Sequence, residues 1–438
     1  MTKNILLCFI QFLFFTFIDY AVSQDKIGDI KPSSTSDNMI TYIVRYKSDT
    51  DLTKAKSVFS DKKVFDKAYS FKKAPIDIIK VKSKNIVEFE EYMAKANNIL
   101  YYEKDSVKKI FYHIPNDPLV YDQWYIDYMN VPLLWGKLID IKQDHDSFGQ
   151  ELVIAIIDTG VDLEHPELKE SFWTNRFEIP GNNIDDDFNG YVDDIHGINS
   201  TCEGCDTQRV DATECSNHGT LMAGIIAAKQ DNGVGISGLT PDVKILICKA
   251  GTDYGMQNSA VFKAMDYIIE MKSRGVNIIA VNMSYGGDEK SNIERYLLDK
   301  FEKYDIIPII AAGNLDQNLD KERQYPASFK LDHAIVVGSV NPNSEKSEFS
   351  NFGRRTVEIF APGESILTTA YIYGQHGYAM VEGTSISTPM IASAVAYEYM
   401  KHPSYSIYDI KEQVISMGQY SRELDLISVS GKILNFSE

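Results

Sequence analysis

Two rhythms of apolar and polar residues run along this chain. From Ile40 to Tyr46 they alternate, as in a strand with one buried face. Leu52, Ala55, Val58 and Phe59 then fall at helical spacing, and Ile76 to Val81 reads as a second strand. Ile86, Phe89, Met93 and Ala96 form another helical face, and Ile99 to Tyr102 a third strand. One further strand between the helices completes a β-α-β-β-α-β module of ferredoxin type, a small α+β domain.

Past Tyr112 the strands become continuous apolar runs: Leu152 to Ile157, Val243 to Cys248, Val276 to Met283, Ile306 to Ala312 and Ala334 to Val340. Between them Val261, Ala264, Met265, Ile268 and Met271 make a helical stripe, started by Asn258 or Ser259 and stopped by Gly275. Ser291 and Glu294 form a capping box for the next helix. Strands that are apolar on both faces, joined by helices, predict a doubly wound, mainly parallel α/β sheet with helices on both sides.

Residues 1–23 read as a signal peptide. Lys3 precedes an apolar run, Ile5 to Ile18, that is short for a spanning helix of about 20 residues. Ala21 and Ser23 occupy the small-residue positions of a signal peptidase site, which predicts cleavage before Gln24 and a secreted or luminal protein. Residues 24 to 39 are polar and Ser-rich, a flexible lead. The 438 residues are 44% hydrophobic and 24% charged, which excludes collagen, coiled coil and wholesale disorder. A net charge of −18 argues against a nucleic-acid or anionic-membrane binder.

An oxidising compartment changes how cysteine is read. Cys8 leaves with the signal, and Cys202, Cys205, Cys215 and Cys248 remain available for disulfides whose connectivity stays open. Cys248 lies in an apolar run and is equally readable as a buried free thiol. Cys202, Cys205 and Cys215 with His218 also make a plausible Cys₃His zinc set, the one reading of a different functional class.

Three motifs sit at element ends, where an α/β sheet gathers its chemistry. Asp158 follows the strand Ile154-Ala-Ile-Ile157. His218, in Asn217-His-Gly-Thr220, opens an apolar helix. Ser385, in Gly383-Thr-Ser-Ile-Ser-Thr-Pro389, stands at the mouth of another helix, whose N–H groups favour developing negative charge. A serine hydroxyl becomes a nucleophile when an imidazole takes its proton, and the imidazole needs an acid to fix its tautomer.

In the order Asp, His, Ser these motifs closely resemble those of the subtilisin-like serine proteases. The resemblance runs from about residue 118 to 430. It includes His165-Pro-Glu-Leu168, Asn282-Met-Ser-Tyr-Gly-Gly287, Ala311-Ala-Gly-Asn314, Tyr325-Pro-Ala-Ser328, Phe349-Ser-Asn-Phe-Gly353 and Phe360-Ala-Pro-Gly363. It implies a serine endopeptidase with Ser385 as nucleophile, His218 as general base and acid, and Asp158 as orienting carboxylate. Asn314 matches the oxyanion donor. Ser284, Tyr285 and Gly286, with Ala312 and Gly313, match the segments that hold an extended substrate. Leu221, Met390 and Ser393 depart from the family pattern and touch packing alone. Leu315 stands where many relatives carry an acid, which implies a substrate-binding rim indifferent to basic side chains.

The amino-terminal module resembles the family's inhibitory propeptide, so the implied organisation is signal 1–23, propeptide 24–112 (ordered from about 39) and catalytic domain 113–438. Autocleavage is expected near Tyr112-His113. The implied partners are a peptide or protein substrate and the propeptide itself, and the expected state is a monomer without a stable membrane span. Residues 24–112 carry 18 basic and 13 acidic side chains, leaving 25 basic and 48 acidic beyond them. A basic propeptide thus meets a strongly acidic enzyme.

Part of that acidity looks built for calcium. Asp185, Asp187, Asn189 and Asp193 place oxygens around Gly190, the way a loop wraps a hard cation. It fits the first half of an EF-hand, but His196 occupies the twelfth position, so a calcium loop of another type is expected. Gln230-Asp231-Asn-Gly-Val234 resembles a second calcium loop of the family, with Asp231 as the ligand.

Overall fold

The structure, a computed structural model, describes residues 39–48, 65–71, 73–105, 113–144, 151–201, 210, 217–252, 254–372 and 374–437. The expected signal sequence, the lead up to residue 38, the helix expected over 52–59, Tyr112, and Cys202, Cys205 and Cys215 lie outside the described residues. The chain divides into two compact units, residues 1–109 and 110–438.

The first unit holds β1 (Met39–Tyr46), β2 (Phe65–Ser70), β3 (Ile76–Lys82), α1 (Ile86–Lys95) and β4 (Ile99–Lys104). They form an antiparallel sheet of order β2-β3-β1-β4, the ferredoxin-type arrangement, with β2 as the further strand. Alternation along β1 buries Tyr42, Val44 and Tyr46 against Ile79 and Val81, where Phe89 and Met93 of α1 cover them.

The second unit is built on nine strands. They are β5 (Val153–Asp158), β6 (Gly197–Asn199), β7 (Lys244–Lys249), β10 (Ile278–Met283), β11 (Ile307–Ala311), β12 (Ile335–Val340), β13 (Ile359–Pro362), β16 (Gln419–Tyr420) and β17 (Lys432–Ile433). A short hairpin, β8 (Gly251–Thr252) and β9 (Gly255–Met256), and a longer one, β14 (Ile366–Ile372) and β15 (Gln375–Val381), stand outside that sheet. The order is β16-β17-β13-β12-β11-β10-β5-β7-β6, parallel except for β16. Its longer helices among the described residues are α2 (Val131–Asp144), α3 (His218–Ala227), α4 (Asn258–Ser273), α5 (Asn292–Lys303), α6 (Thr384–Lys401) and α7 (Ile407–Met417).

β5 shows why the strands lack alternation: every residue of it is buried, because both faces are covered. Ile154 and Ile156 join the core beneath α2, α3, α6 and α7. Val153, Ala155 and Ile157 join the core beneath α4 and α5. Strand order also reverses beside β5: the chain goes to β7 on one side and later to β10 on the other. Crevices at the carboxyl ends of strands open at such switch points. Asp158 is the last residue of β5 itself, one place earlier in the architecture than expected.

The capping box expected at Ser291 forms only its hydroxyl half. Ser291 Oγ accepts the Glu294 N–H at 3.1 Å, while the Glu294 carboxyl turns inward to the Tyr285 hydroxyl at 3.5 Å. Cys248 is a buried free thiol. Among the described residues no helix is long and apolar enough to cross a membrane.

Candidate active site

Asp158, 1% exposed, ends its strand with both carboxylate oxygens aimed at one imidazole. His218 Nδ1 lies 2.9 Å from Oδ1 and 3.0 Å from Oδ2, and the Thr159 N–H donates to Oδ1 at 2.7 Å. An acceptor at Nδ1 holds the ring proton there and leaves Nε2 as the basic nitrogen. His218 is the first residue of α3, 29% exposed, so its ring stays open to solvent on one side.

The β14–β15 hairpin fixes that helix start. Thr368 Oγ1 donates to the Leu221 carbonyl at 2.8 Å and Thr369 Oγ1 to the Thr220 carbonyl at 2.7 Å. The Tyr371 N–H donates to Asn217 Oδ1 at 2.5 Å. These bonds pin the first turn of α3.

Ser385 is half-buried in the first turn of α6, behind Gly383. A methyl group at Gly383 would lie 3.0 Å from Ser385 Oγ and 3.3 Å from Asn314 Nδ2. Hydroxyl and amide therefore converge on the space this glycine leaves open. The amide orientation is set by Thr384, whose N–H and Oγ1 both donate to Asn314 Oδ1 at 2.9 and 2.8 Å. The Gly313 N–H donates to Thr384 Oγ1 at 3.0 Å, closing the network. With its oxygen engaged twice, the Asn314 amide presents NH₂ outward.

The segment after β10 meets the same helix. Ser284 Oγ donates to the Ser385 carbonyl at 2.9 Å and accepts from Asn282 Nδ2 at 3.0 Å. Tyr285 is half-buried; Gly286 and Gly287 are exposed. Gly287 exchanges backbone bonds with Tyr325 at 2.9 and 2.7 Å, which holds one side of this edge. Ala312 is buried, Gly313 half-buried, and Leu315 is 61% exposed. Leu221, Met390 and Ser393, the departures from the family pattern, are all buried packing positions.

The subtilase family profile matches residues 149–422, well over half of the chain. The chain belongs to the subtilase family. Subtilisin-like protease 1 of Plasmodium berghei (strain Anka) is 28% identical over 383 residues, covering 82% of this subtilase and 59% of the relative. The chain thus spans less than two thirds of that protein's length. The major intracellular serine protease of Bacillus subtilis (strain 168) is 31% identical over 275 residues, 62% of this chain and 73% of its own. A protease structure from Pseudoalteromonas arctica aligns with a TM-score of 0.59 at 21% identity over 74% of this chain and 98% of its own, a likeness of fold. The doubly wound architecture is the subtilisin-like one.

In this subtilase the acidic loop gathers a carboxylate set that differs from the expected one. Ligand oxygens of Glu178, Asp187 and Asp194 lie within 4.8 Å of one another. Of the expected carboxylates Asp187 is in this group, and Asp185 and Asp193 are not. Asp185 accepts the Asn189 and Gly190 N–H groups at 3.1 and 2.9 Å, and Asp193 accepts those of Asn182 and Asn183 at 3.3 and 2.9 Å. Those two carboxylates shape the turn. Asn189 donates its amide to Asp194 at 2.9 Å. Regular two-residue spacing pointed to Asp185 and Asp193, whereas loop curvature brings in Glu178, which lies outside the acidic run.

Burial pushes the Asp194 carboxyl up to about 6, with hydrogen bonds from Tyr267, Asn175 and Asn189 pulling the other way and the charge of Asp187 adding to the rise. Crowded, partly buried carboxylates with an all-oxygen donor set fit a hard divalent cation. Asp231 is engaged elsewhere: Oδ2 lies 2.8 Å from His113 Nε2 and Oδ1 accepts the Asn116 N–H at 3.1 Å. His218, the fourth member of the alternative zinc set, has its Nδ1 on Asp158, and the three cysteines lie outside the described residues.

Proposed function

We propose that this subtilase is a secreted serine endopeptidase made as an autoprocessed zymogen. The reading rests on the convergence of Ser385 Oγ and Asn314 Nδ2 at Gly383, and on an imidazole, His218, oriented by a buried carboxylate. An extended peptide lies along Ser284, Tyr285 and Gly286, with Ala312 and Gly313 opposite, adding a strand to the exposed edge. Ser385 Oγ attacks the scissile carbonyl while His218 Nε2 accepts its proton. Asp158 stabilises the imidazolium and keeps its orientation. Asn314 Nδ2, with N–H groups at the mouth of α6, donates to the oxyanion. His218 then protonates the leaving amine, and water, deprotonated by the same imidazole, hydrolyses the acyl-enzyme.

The remaining assignments follow the family. Residues 24–112 serve as folding template and inhibitor, removed near Tyr112-His113. Their net positive charge against an acidic enzyme speeds encounter electrostatically. Glu178, Asp187 and Asp194 would hold a structural calcium, whose charge offsets the repulsion among the three carboxylates. The exposed Leu315 gives substrate binding a neutral rim, so no strong preference for Arg or Lys before the scissile bond is expected.

A fluorophosphonate probe tests the core of the reading. It labels the wild-type enzyme at Ser385, the Ser385→Ala variant is unlabelled and inactive on a peptide library, and a zinc chelator leaves activity intact. A protein that binds library peptides yet takes no label is a catalytically silent subtilase, and that outcome overturns the proposal.

A further inference from the structure

Asn351 lies in the loop between β12 and β13, is fully buried, and makes no hydrogen bond to the side chains of Asp158, His218, Asn314 or Ser385. Its side chain nevertheless uses every hydrogen-bonding position on the loop that carries Asn314. Nδ2 donates to the Ala312 carbonyl at 2.9 Å and to Gln324 Oε1 at 2.9 Å. Oδ1 accepts the Leu315 N–H at 3.0 Å and the Gln317 N–H at 2.8 Å. Its own N–H donates to the Gly313 carbonyl at 2.9 Å. Asn314 is thus bracketed on both sides, at residues 312 and 313 before it and 315 and 317 after it, by a single side chain and its backbone.

The approach is close enough to demand glycine. Gly313 has φ +100°, and a methyl group there would fall 2.5 Å from Asn351 Nδ2 and 2.4 Å from Gln324 Oε1. Thr384 fixes the Asn314 side chain from the helix side, and Asn351 fixes its backbone from the loop side. A donor that stabilises an oxyanion must be held in place before the reaction, and a misplacement of about 1 Å can cost about 100-fold in rate.

We propose that Asn351 is a positioning residue for the oxyanion donor: it fixes the backbone that carries Asn314, whose side chain Thr384 orients, without contacting substrate. This rests on Asn314 being that donor. Aspartate at 351 has the same shape but only acceptors, so it sets oxygen against the Ala312 carbonyl and Gln324 Oε1. Leu315 and Gln317 keep their acceptor.

A double-mutant cycle of Asn351→Asp and Asn314→Ala, on purified mature enzyme with a peptide substrate, separates the possibilities. Asn314→Ala is expected to lower kcat by about 10²- to 10³-fold. Asn351→Asp is expected to lower kcat by about 10- to 100-fold, with KM changed less than about 3-fold, and to weaken a peptide boronate that forms a tetrahedral adduct by a similar factor. On the Asn314→Ala background the same substitution should cost less than about 3-fold, because the donor it positions is gone. Losses that multiply fully on both backgrounds mean a general structural role and overturn the inference, while the endopeptidase reading stands. An Asn314→Ala variant with wild-type kcat overturns the oxyanion assignment and this inference together. If Asn351→Asp fails to fold, Asn351→Ser carries the same cycle with the same two outcomes.

Discussion

The Cβ that Gly219 lacks would lie 2.3 Å from the carbonyl oxygen of Gly160 and 3.3 Å from Cβ of Asp158. The turn after β5 and the start of α3 are therefore in contact through the backbone, with the Gly219 N–H donating to Thr159 Oγ1 at 3.2 Å. Glycine after His218 lets the carboxylate and imidazole meet at 2.9 Å. Gly219→Ala should push the two elements apart. An overpacking cost of about 1–3 kcal/mol is expected in thermal unfolding, together with a fall in kcat larger than that for an alanine elsewhere in the buried face of α3. Wild-type kcat in a destabilised but folded variant would show that this contact serves packing alone.

In the proposed mechanism Asp158 acts through charge and acceptor geometry. Asn at this position keeps the shape but offers His218 Nδ1 an NH₂ as readily as an oxygen, favouring the tautomer with Nε2 protonated. Asp158→Asn should lower kcat by about 10⁴-fold at neutral pH while leaving peptide affinity nearly unchanged. Activity recovering as pH rises toward the alkaline range is the expected signature, read from a pH–rate profile of the purified variant. A loss below about tenfold would remove Asp158 from the assigned role.

Glu294 links the proposed substrate edge to pH. Burial pushes its carboxyl up to about 7, against a small opposing pull from the Tyr285 hydroxyl. A carboxyl with a folded value above its ordinary 4.5 binds its proton more tightly in the native state. Its contribution to stability is therefore complete below pH 4.5 and is lost as pH rises through about 7. Glu294→Gln should flatten that part of the stability curve and stabilise the protein near pH 8 relative to wild type. Denaturant melts at pH 5 and pH 8 check this, and an unchanged difference between the two pH values would refute it.

Much of the fold was legible in the sequence because burial on both faces leaves a plain mark. The apolar runs from Leu152, Val243, Val276, Ile306 and Ala334 became β5, β7, β10, β11 and β12, each starting one or two residues later, with β5 and β7 running one residue past the expected end. Alternation in β1 likewise marked the first unit's core. Asp158, His218 and Ser385 stood out because each ends a strand or opens a helix. Supporting residues left weaker marks. Thr384 and Asn351 were visible only as letters in motifs, since their roles depend on loops that meet across about 40 to 70 positions of chain. Glu294 was read as a cap because local spacing cannot show that Tyr285 folds over it. Glu178 carries no periodic signal, as curvature brings it to the acidic loop.

That loop supplies the last expectation. Glu178 Oε1 accepts the Asp186 and Asp187 N–H groups at 2.8 and 3.1 Å, and Oε2 accepts that of Asp193 at 2.9 Å. Arg274 meets the loop at its edge, donating to the Asp187 and Phe188 carbonyls at 3.1 and 3.0 Å and lying 3.8 Å from the Asp187 carboxylate. Three carboxylates in so small a volume repel one another, and a bound divalent cation converts that repulsion into attraction. Calcium at about 100 times its dissociation constant should stabilise the folded chain by about 2.7 kcal/mol, seen as a rise in Tm. Asp194→Asn and Glu178→Gln remove a charged ligand each and should shrink this calcium-dependent shift, and Glu178→Gln, which also weakens the acceptor of three loop N–H groups, should lower the baseline Tm as well. Asp185→Asn, which alters a turn-forming acceptor, should lower the baseline Tm and leave most of the shift in place. Titration calorimetry with calcium alone on the three variants checks the ranking. Equal shifts in Asp194→Asn and wild type would assign the cation, if one binds, to another part of the molecule.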